Sequence, residues 1–108
     1  MGQLTYGADG RFSTVITRSE LPKFASNNRV EGTPEENKAV VQGSFADFGS
    51  YSVSETDKTI IEQVESCTFP NFNGSERKES FSISGDELHV TVKASVGGTA
   101  HLVWKRAK

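Results

Sequence analysis

Thr59-Ile-Ile-Glu-Gln-Val-Glu-Ser-Cys-Thr-Phe-Pro-Asn-Phe-Asn-Gly-Ser75 is a strand that runs into a break. Pro70 fixes φ and offers no N–H to a sheet ladder, so pairing stops there. Phe69 and Phe72 flank the Pro-Asn step, and two rings at such a break either cap a core or line the mouth of a pocket. Thr59–Cys67 presents Ile60, Glu62, Val64 and Ser66 on one face, and Ile61, Gln63, Glu65 and Cys67 on the other.

The same alternation extends outward from this stretch. On the C-terminal side, Arg77–Ser84 places Phe81 and Ile83 on one face. Ser84-Gly-Asp86 turns into Glu87–Lys93, which alternates at Leu88, Val90 and Val92. Gly97-Gly98 turns into Thr99–Arg106, with Leu102 and Trp104 together. On the N-terminal side, Glu55–Lys58 is a turn after the strand Ser50–Glu55. Gly7-Ala-Asp-Gly10 joins Gln3–Tyr6 to the β-branched run Phe12–Arg18 as a hairpin.

One helix interrupts the pattern. Thr33 serves as N-cap, Pro34 suits the first helical position, and Glu36 completes a capping box. Ala39, Val40, Gly43, Ala46 and Phe45 or Phe48 recur at helical spacing, and Gly49 is the expected stop. About seven short antiparallel strands with one inserted helix predict a mainly β fold, a barrel or a strongly curled sheet, as a single domain over residues 1–108.

Composition narrows the function. The 108 residues carry 12 Lys+Arg against 14 Asp+Glu, so no basic footprint for nucleic acid or an anionic membrane is present. Only 34% of residues are apolar, which implies either a partly polar interior or a core completed by another chain. With Cys67 as the single cysteine there is no intrachain disulfide, and no apolar run marks a signal or a span. A cytoplasmic, soluble protein is the expectation.

Tyr6-Gly-Ala-Asp-Gly-Arg-Phe-Ser13, Phe24-Ala-Ser26, Gly32-Thr-Pro-Glu-Glu36, Phe48-Gly-Ser-Tyr51, Phe69-Pro-Asn71 and Leu102-Val-Trp-Lys-Arg106 occur in that order. Together they resemble the bacterial and fungal lipocalin-like domain family of small calycin-type barrels. The resemblance implies an antiparallel up-and-down barrel with an internal cavity, one end plugged or lidded by the helix, and no defined reaction. Family members usually open with a Gly-Thr-Trp-type strand and a second strand ahead of this hairpin, whereas this chain starts at Gly2-Gln3-Leu4. An eight-stranded barrel could then not close alone, and a homodimer completing the wall is expected. Relatives often carry His where Glu62 and Gln63 stand, so a role resting on that His does not transfer.

If the Ile61 face of Thr59–Cys67 points inward, the lumen receives Gln63, Glu65 and Cys67. A carboxyl in a half-dry barrel has a raised pKa and suits general acid or base work. His101 alternates opposite Leu102 and Trp104, and Glu65 with His101 is the candidate catalytic pair. His89 is expected outside. Tyr6, Phe24, Gln63, Glu65, Phe69, Asn71, Phe72 and His101 are the candidate ligand contacts, Asn71 also being suited to satisfying its own turn. Tyr51 and Trp104 complete an aromatic set that suits a core as well as a pocket. Arg18 could meet an anion but suits a surface ion pair, and Cys67 reads as a small buried apolar residue. Two His and one Cys at unrelated spacings suggest no metal, and Gly97-Gly98 precedes no helix that would hold a phosphate, so no cofactor is expected.

Three functions are open at this point. The first is a barrel holding a small, mostly apolar molecule. The second is a cofactor-independent cyclase or isomerase working through Glu65 and His101. The third is an assembly protein completed by strand exchange along its open edges.

Overall fold

The computed structural model describes residues 1–93 and 97–107. Seven antiparallel strands form one sheet in chain order: β1 (Gly2–Tyr6), β2 (Arg11–Thr17), β3 (Ser44–Ser54), β4 (Thr59–Cys67), β5 (Glu76–Ser84), β6 (Glu87–Lys93) and β7 (Thr99–Lys105). The sheet is an up-and-down ribbon curled into a nearly closed barrel. Among the described residues no ladder joins β7 to β1. The two free edges nevertheless lie side by side. A Cβ placed on Gly2 would sit 3.4 Å from Cη2 of Trp104, so the indole of β7 lies against the start of β1 across the seam.

The inward residues follow from the pleat. Phe12, Ile60, Val64 and Val90 are buried, and Cys67 joins them. Phe12, Val64 and Cys67 form a cluster against which Tyr6, Phe45, Tyr51, Phe69 and Phe72 pack. The interior is also polar: Thr14, Asp47, Glu62 and Glu79 are all buried. A low apolar fraction is thus met by charged groups inside the wall.

The helix α1 (Pro34–Gly43) begins as its sequence dictates. Thr33 Oγ1 accepts from Glu36 N–H, and Glu36 answers by accepting from Thr33 N–H at 2.8 Å. That bond and a second from Ala25 N–H hold the Glu36 carboxyl below its ordinary range. The helix ends six residues earlier than Gly49, at Gly43. Phe45, Asp47 and Gly49 instead pair with Ile16, Thr14 and Phe12 of β2. Phe45, Ala46 and Phe48 fit a helical and an alternating pattern alike, and the ladder wins because each residue gains backbone partners along a neighbouring strand. Only Gly43 of the helix is buried.

Gly49 carries a second irregularity. The β3–β4 register steps from Phe48↔Ser66 to Gly49↔Val64, leaving Glu65 as the extra residue of a bulge. The wall is so tight there that a Cβ on Gly49 would lie 1.9 Å from the Gln63 carbonyl oxygen. The bulge shifts the phase of β4 by one residue. Ile60, Glu62 and Val64 point in, Gln63 and Glu65 point out, and Cys67 points in again. The expectation that Gln63 and Glu65 share the lumen with Cys67 is therefore corrected: both lie outside, because the inward face of β4 is that of Ile60 and not that of Ile61, and the bulge alone brings Cys67 inside.

Candidate functional site

Glu62 enters the barrel between Ile60 and Val64, and its side chain is 1% exposed. Three elements converge on it. Tyr6 of β1 donates its phenol proton to Oε2 at 2.7 Å. Arg77 of β5 donates from Nε at 2.8 Å and from Nη2 at 2.5 Å to Oε1. The guanidinium also stands over the Phe12 ring, 5.8 Å from its centroid. From β3, Asp47 brings Oδ2 to 2.8 Å from the same Nη2, though off the line of a hydrogen bond. Asp47 is fully enclosed, and neither of its oxygens has a hydrogen-bond partner. Glu79, one inward step from Arg77, has Oε1 3.8 Å from Nε.

One guanidinium thus faces three carboxyl groups. Burial pushes the Glu79 carboxyl up to about 9, helped by its hydrogen bond to Glu62 and the charge there, and only partly opposed by Arg77. Glu79 is accordingly a neutral acid at pH 7. Burial and the neighbouring Glu62 charge also raise Tyr6, which stays a phenol. Burial pulls Arg77 down, but Glu62 and Asp47 outweigh it and hold the guanidinium above its ordinary value.

This cluster forms part of the wall of a half-open cavity of about 200 Å³, to which Tyr6, Thr14, Glu62, Arg77 and Glu79 contribute polar atoms. Leu4, Ile16, Val92, Leu102 and Trp104 supply much of the apolar surface. Phe45 and Phe72 meet edge to face with centroids 6.3 Å apart and both line the cavity. No residue of α1 lines this cavity, whereas Phe45 and Phe72 of the 3-10 turn Pro70–Phe72 do. Beyond Ser80↔Thr91 the β5–β6 ladder ends among the described residues. A cleft of about 630 Å³ adjoins the cavity there, sharing Phe72, Arg77, Val92 and Lys93 with it.

The residues singled out from the sequence divide clearly. Tyr6 and Phe72 line the cavity. Phe69 backs Phe72 with centroids 4.9 Å apart and faces a groove beside α1. Phe24 lies half-buried in the loop before α1, where its carbonyl accepts from Asn27 N–H at 3.0 Å. Asn71 is exposed, and it is Asn73 that anchors the turn, accepting from Cys67 N–H at 2.8 Å. Gln63 is exposed and donates to Glu76.

Glu65 and His101 are not brought together. Glu65 is half exposed and ion-paired to Arg11 on the outer surface. His101 is exposed beside Thr91, at 3.2 Å, with its ring 5.7 Å from that of His89. Among the described residues no group of three His, Cys, Asp or Glu could hold a metal, and no helix is long and apolar enough to cross a membrane.

The sequence reading missed Asp47, Glu62, Arg77 and Glu79. A signal for them was present. Phe81 and Ile83 mark one face of β5, and stepping back two residues at a time reaches Glu79 and Arg77. Ile60 and Val64 bracket Glu62 in the same way.

A curled up-and-down sheet with an apolar cavity and a few inward polar groups is the arrangement by which small barrels enclose ligands. No curated protein and no solved structure matches the chain. The family model of the lipocalin-like domain matches residues 1–107. The chain therefore belongs to the lipocalin-like domain family.

Proposed function

We propose that the protein binds a small, mostly apolar molecule inside the barrel, oriented by the Tyr6–Glu62–Arg77–Glu79 cluster. The observation that carries this reading is the cavity of about 200 Å³ whose wall is apolar except along one charged side. Its volume is below the roughly 300–1,000 Å³ of drug-sized sites, which argues for a ligand of one ring or a short chain. Trp104 is the single tryptophan and lines the cavity, so its fluorescence reports occupancy without a label. Titration with 2-phenylethanol, a neutral probe of this size, is expected to change Trp104 emission saturably. Filling the cavity by Leu102→Trp, followed by calorimetry, should abolish the binding. A wild-type protein that takes up no probe of this size removes the reading.

A cyclase- or isomerase-type reaction is the second reading. The observation favouring it is the adjacency of a carboxylate, Glu62, and a neutral acid, Glu79, on the cavity wall. This interior pair fits acid–base work better than Glu65 with His101, which have separate partners on the outside. Among the described residues the outer edges of β1 and β7 have no ladder, which favours association of two copies along the seam. Light scattering after size exclusion tests this, and a monomer throughout removes it.

A further inference from the structure

The charge balance of the cavity names the chemistry of its ligand more closely. Glu62, Glu79 and Asp47 surround one guanidinium, whose Nε and Nη2 donate to Glu62. An incoming anion would meet the Glu62 and Glu79 carboxyls on the cavity wall, with Asp47 also paired to Arg77, so a carboxylate or phosphate headgroup is disfavoured there. The remaining cation at the cavity is Lys93, exposed at its rim on β6. The polar groups facing Glu79 from the other elements are Glu62 on β4, Asp47 on β3, Thr14 on β2 and the Tyr6 phenol on β1, none of them a cation. Asp47, with no exposed side-chain surface, holds Oδ2 2.8 Å from Arg77 Nη2 and so shares the one guanidinium with Glu62.

We propose that the cavity takes an organic cation: a small apolar molecule with one protonated amine, whose ammonium group sits against Glu62 and Glu79. The inference rests on the binding reading above and specifies the ligand's headgroup. An ammonium supplies the second positive charge that three carboxyl groups lack, and its N–H donors suit the Glu79 carboxyl on the wall, which lies 3.8 Å from Arg77 Nε. The apolar remainder of the ligand would lie against Leu102 and Trp104. A cavity of about 150 Å³ holds a benzene, so the space here suits an aryl-ethylamine. Bringing in the ammonium ionises Glu79, whose proton passes to solvent, so binding is accompanied by proton release.

The experiment compares phenethylamine, 2-phenylethanol and 3-phenylpropionate at pH 7 by Trp104 fluorescence and calorimetry. The amine should bind about tenfold tighter than the alcohol or better, as a charge-assisted hydrogen bond provides, and the carboxylate more weakly than either. The amine's binding enthalpy should vary with the ionisation enthalpy of the buffer, and the alcohol's should not. Glu79→Gln should cut the amine's advantage over the alcohol to about threefold or less. The comparison in the wild-type protein does not depend on that variant folding. Alcohol binding with an amine no tighter, or a carboxylate that binds best, overturns the ammonium proposal and leaves the binding function standing. Failure of all three probes overturns both.

Discussion

The Tyr6 hydroxyl donates to Glu62 Oε2 at 2.7 Å although β1 and β4 are separated in the sheet by β2 and β3. The bond therefore crosses the interior and ties the first strand to the middle of the ribbon. Arg77 continues the tie to β5 and Asp47 to β3. Curvature that the ladders alone do not enforce is reinforced by a polar contact through the core.

Removing the centre of this tie should be costly. Glu62→Gln keeps the shape but leaves the Arg77 guanidinium short of a buried partner, and a loss of about 3 kcal/mol is expected in urea unfolding at pH 7. Tyr6→Phe removes one bond to a charged acceptor and should cost about 1.5 kcal/mol. A Glu62→Gln protein as stable as the parent would show that the cluster does not brace the barrel.

Glu79 sets a pH dependence of defined sign. Its carboxyl moves from an ordinary 4.5 to about 9 on folding. Between those values the folded protein holds a proton that the unfolded chain has released, so stability falls as pH rises. The contribution is complete below pH 4.5 and is lost as pH passes 9. For this one group the slope is no steeper than about 1.4 kcal/mol per pH unit. Urea midpoints from pH 5 to about 9.5 should decline in the parent and decline less in Glu79→Gln; parallel curves would exclude Glu79 as the source.

The bulge makes a separable prediction. Gly49→Ala forces a Cβ onto the Gln63 carbonyl and should cost about 3 kcal/mol or prevent folding. Gly74 has positive φ but open space around it, so Gly74→Ala meets only the backbone penalty of about 1 kcal/mol. Thermal melts that rank the two variants the other way would contradict the register assigned at Glu65.

Glu65 and His101, the acid–base pair expected from the sequence, give a contrasting outcome. Glu65→Gln removes an exposed pair with Arg11 and should change stability by less than about 1 kcal/mol. Neither it nor His101→Gln should alter 2-phenylethanol binding followed through Trp104. Loss of binding in either variant would return function to the outer surface.

The strands were legible because half-buried β-structure writes itself as alternation, and β4 and β6 begin and end where their patterns do. The capping box made the start of α1 equally plain. Its end was not, since Phe45 and Phe48 satisfy both periods until β2 is known to lie alongside. The site was the least legible part. A bulge leaves no mark in a list of residues, so the inward turn of Cys67 could not be read across it. Charged residues are ordinarily assigned to the outside, and that habit hid Asp47, Glu62, Arg77 and Glu79 behind an alternation already visible at Phe81 and Ile83.

The absence of a ladder between β7 and β1 among the described residues bears on how the molecule comes apart. A closed hoop of strands must fail all at once, whereas a rolled strip can fray from its two ends. Amide protons of β1 and β7 should therefore exchange with solvent through small openings, and those of β3 and β4 only through global unfolding. Trp104, lying across the joint on Gly2, would feel the first of these openings before the rest of the core does.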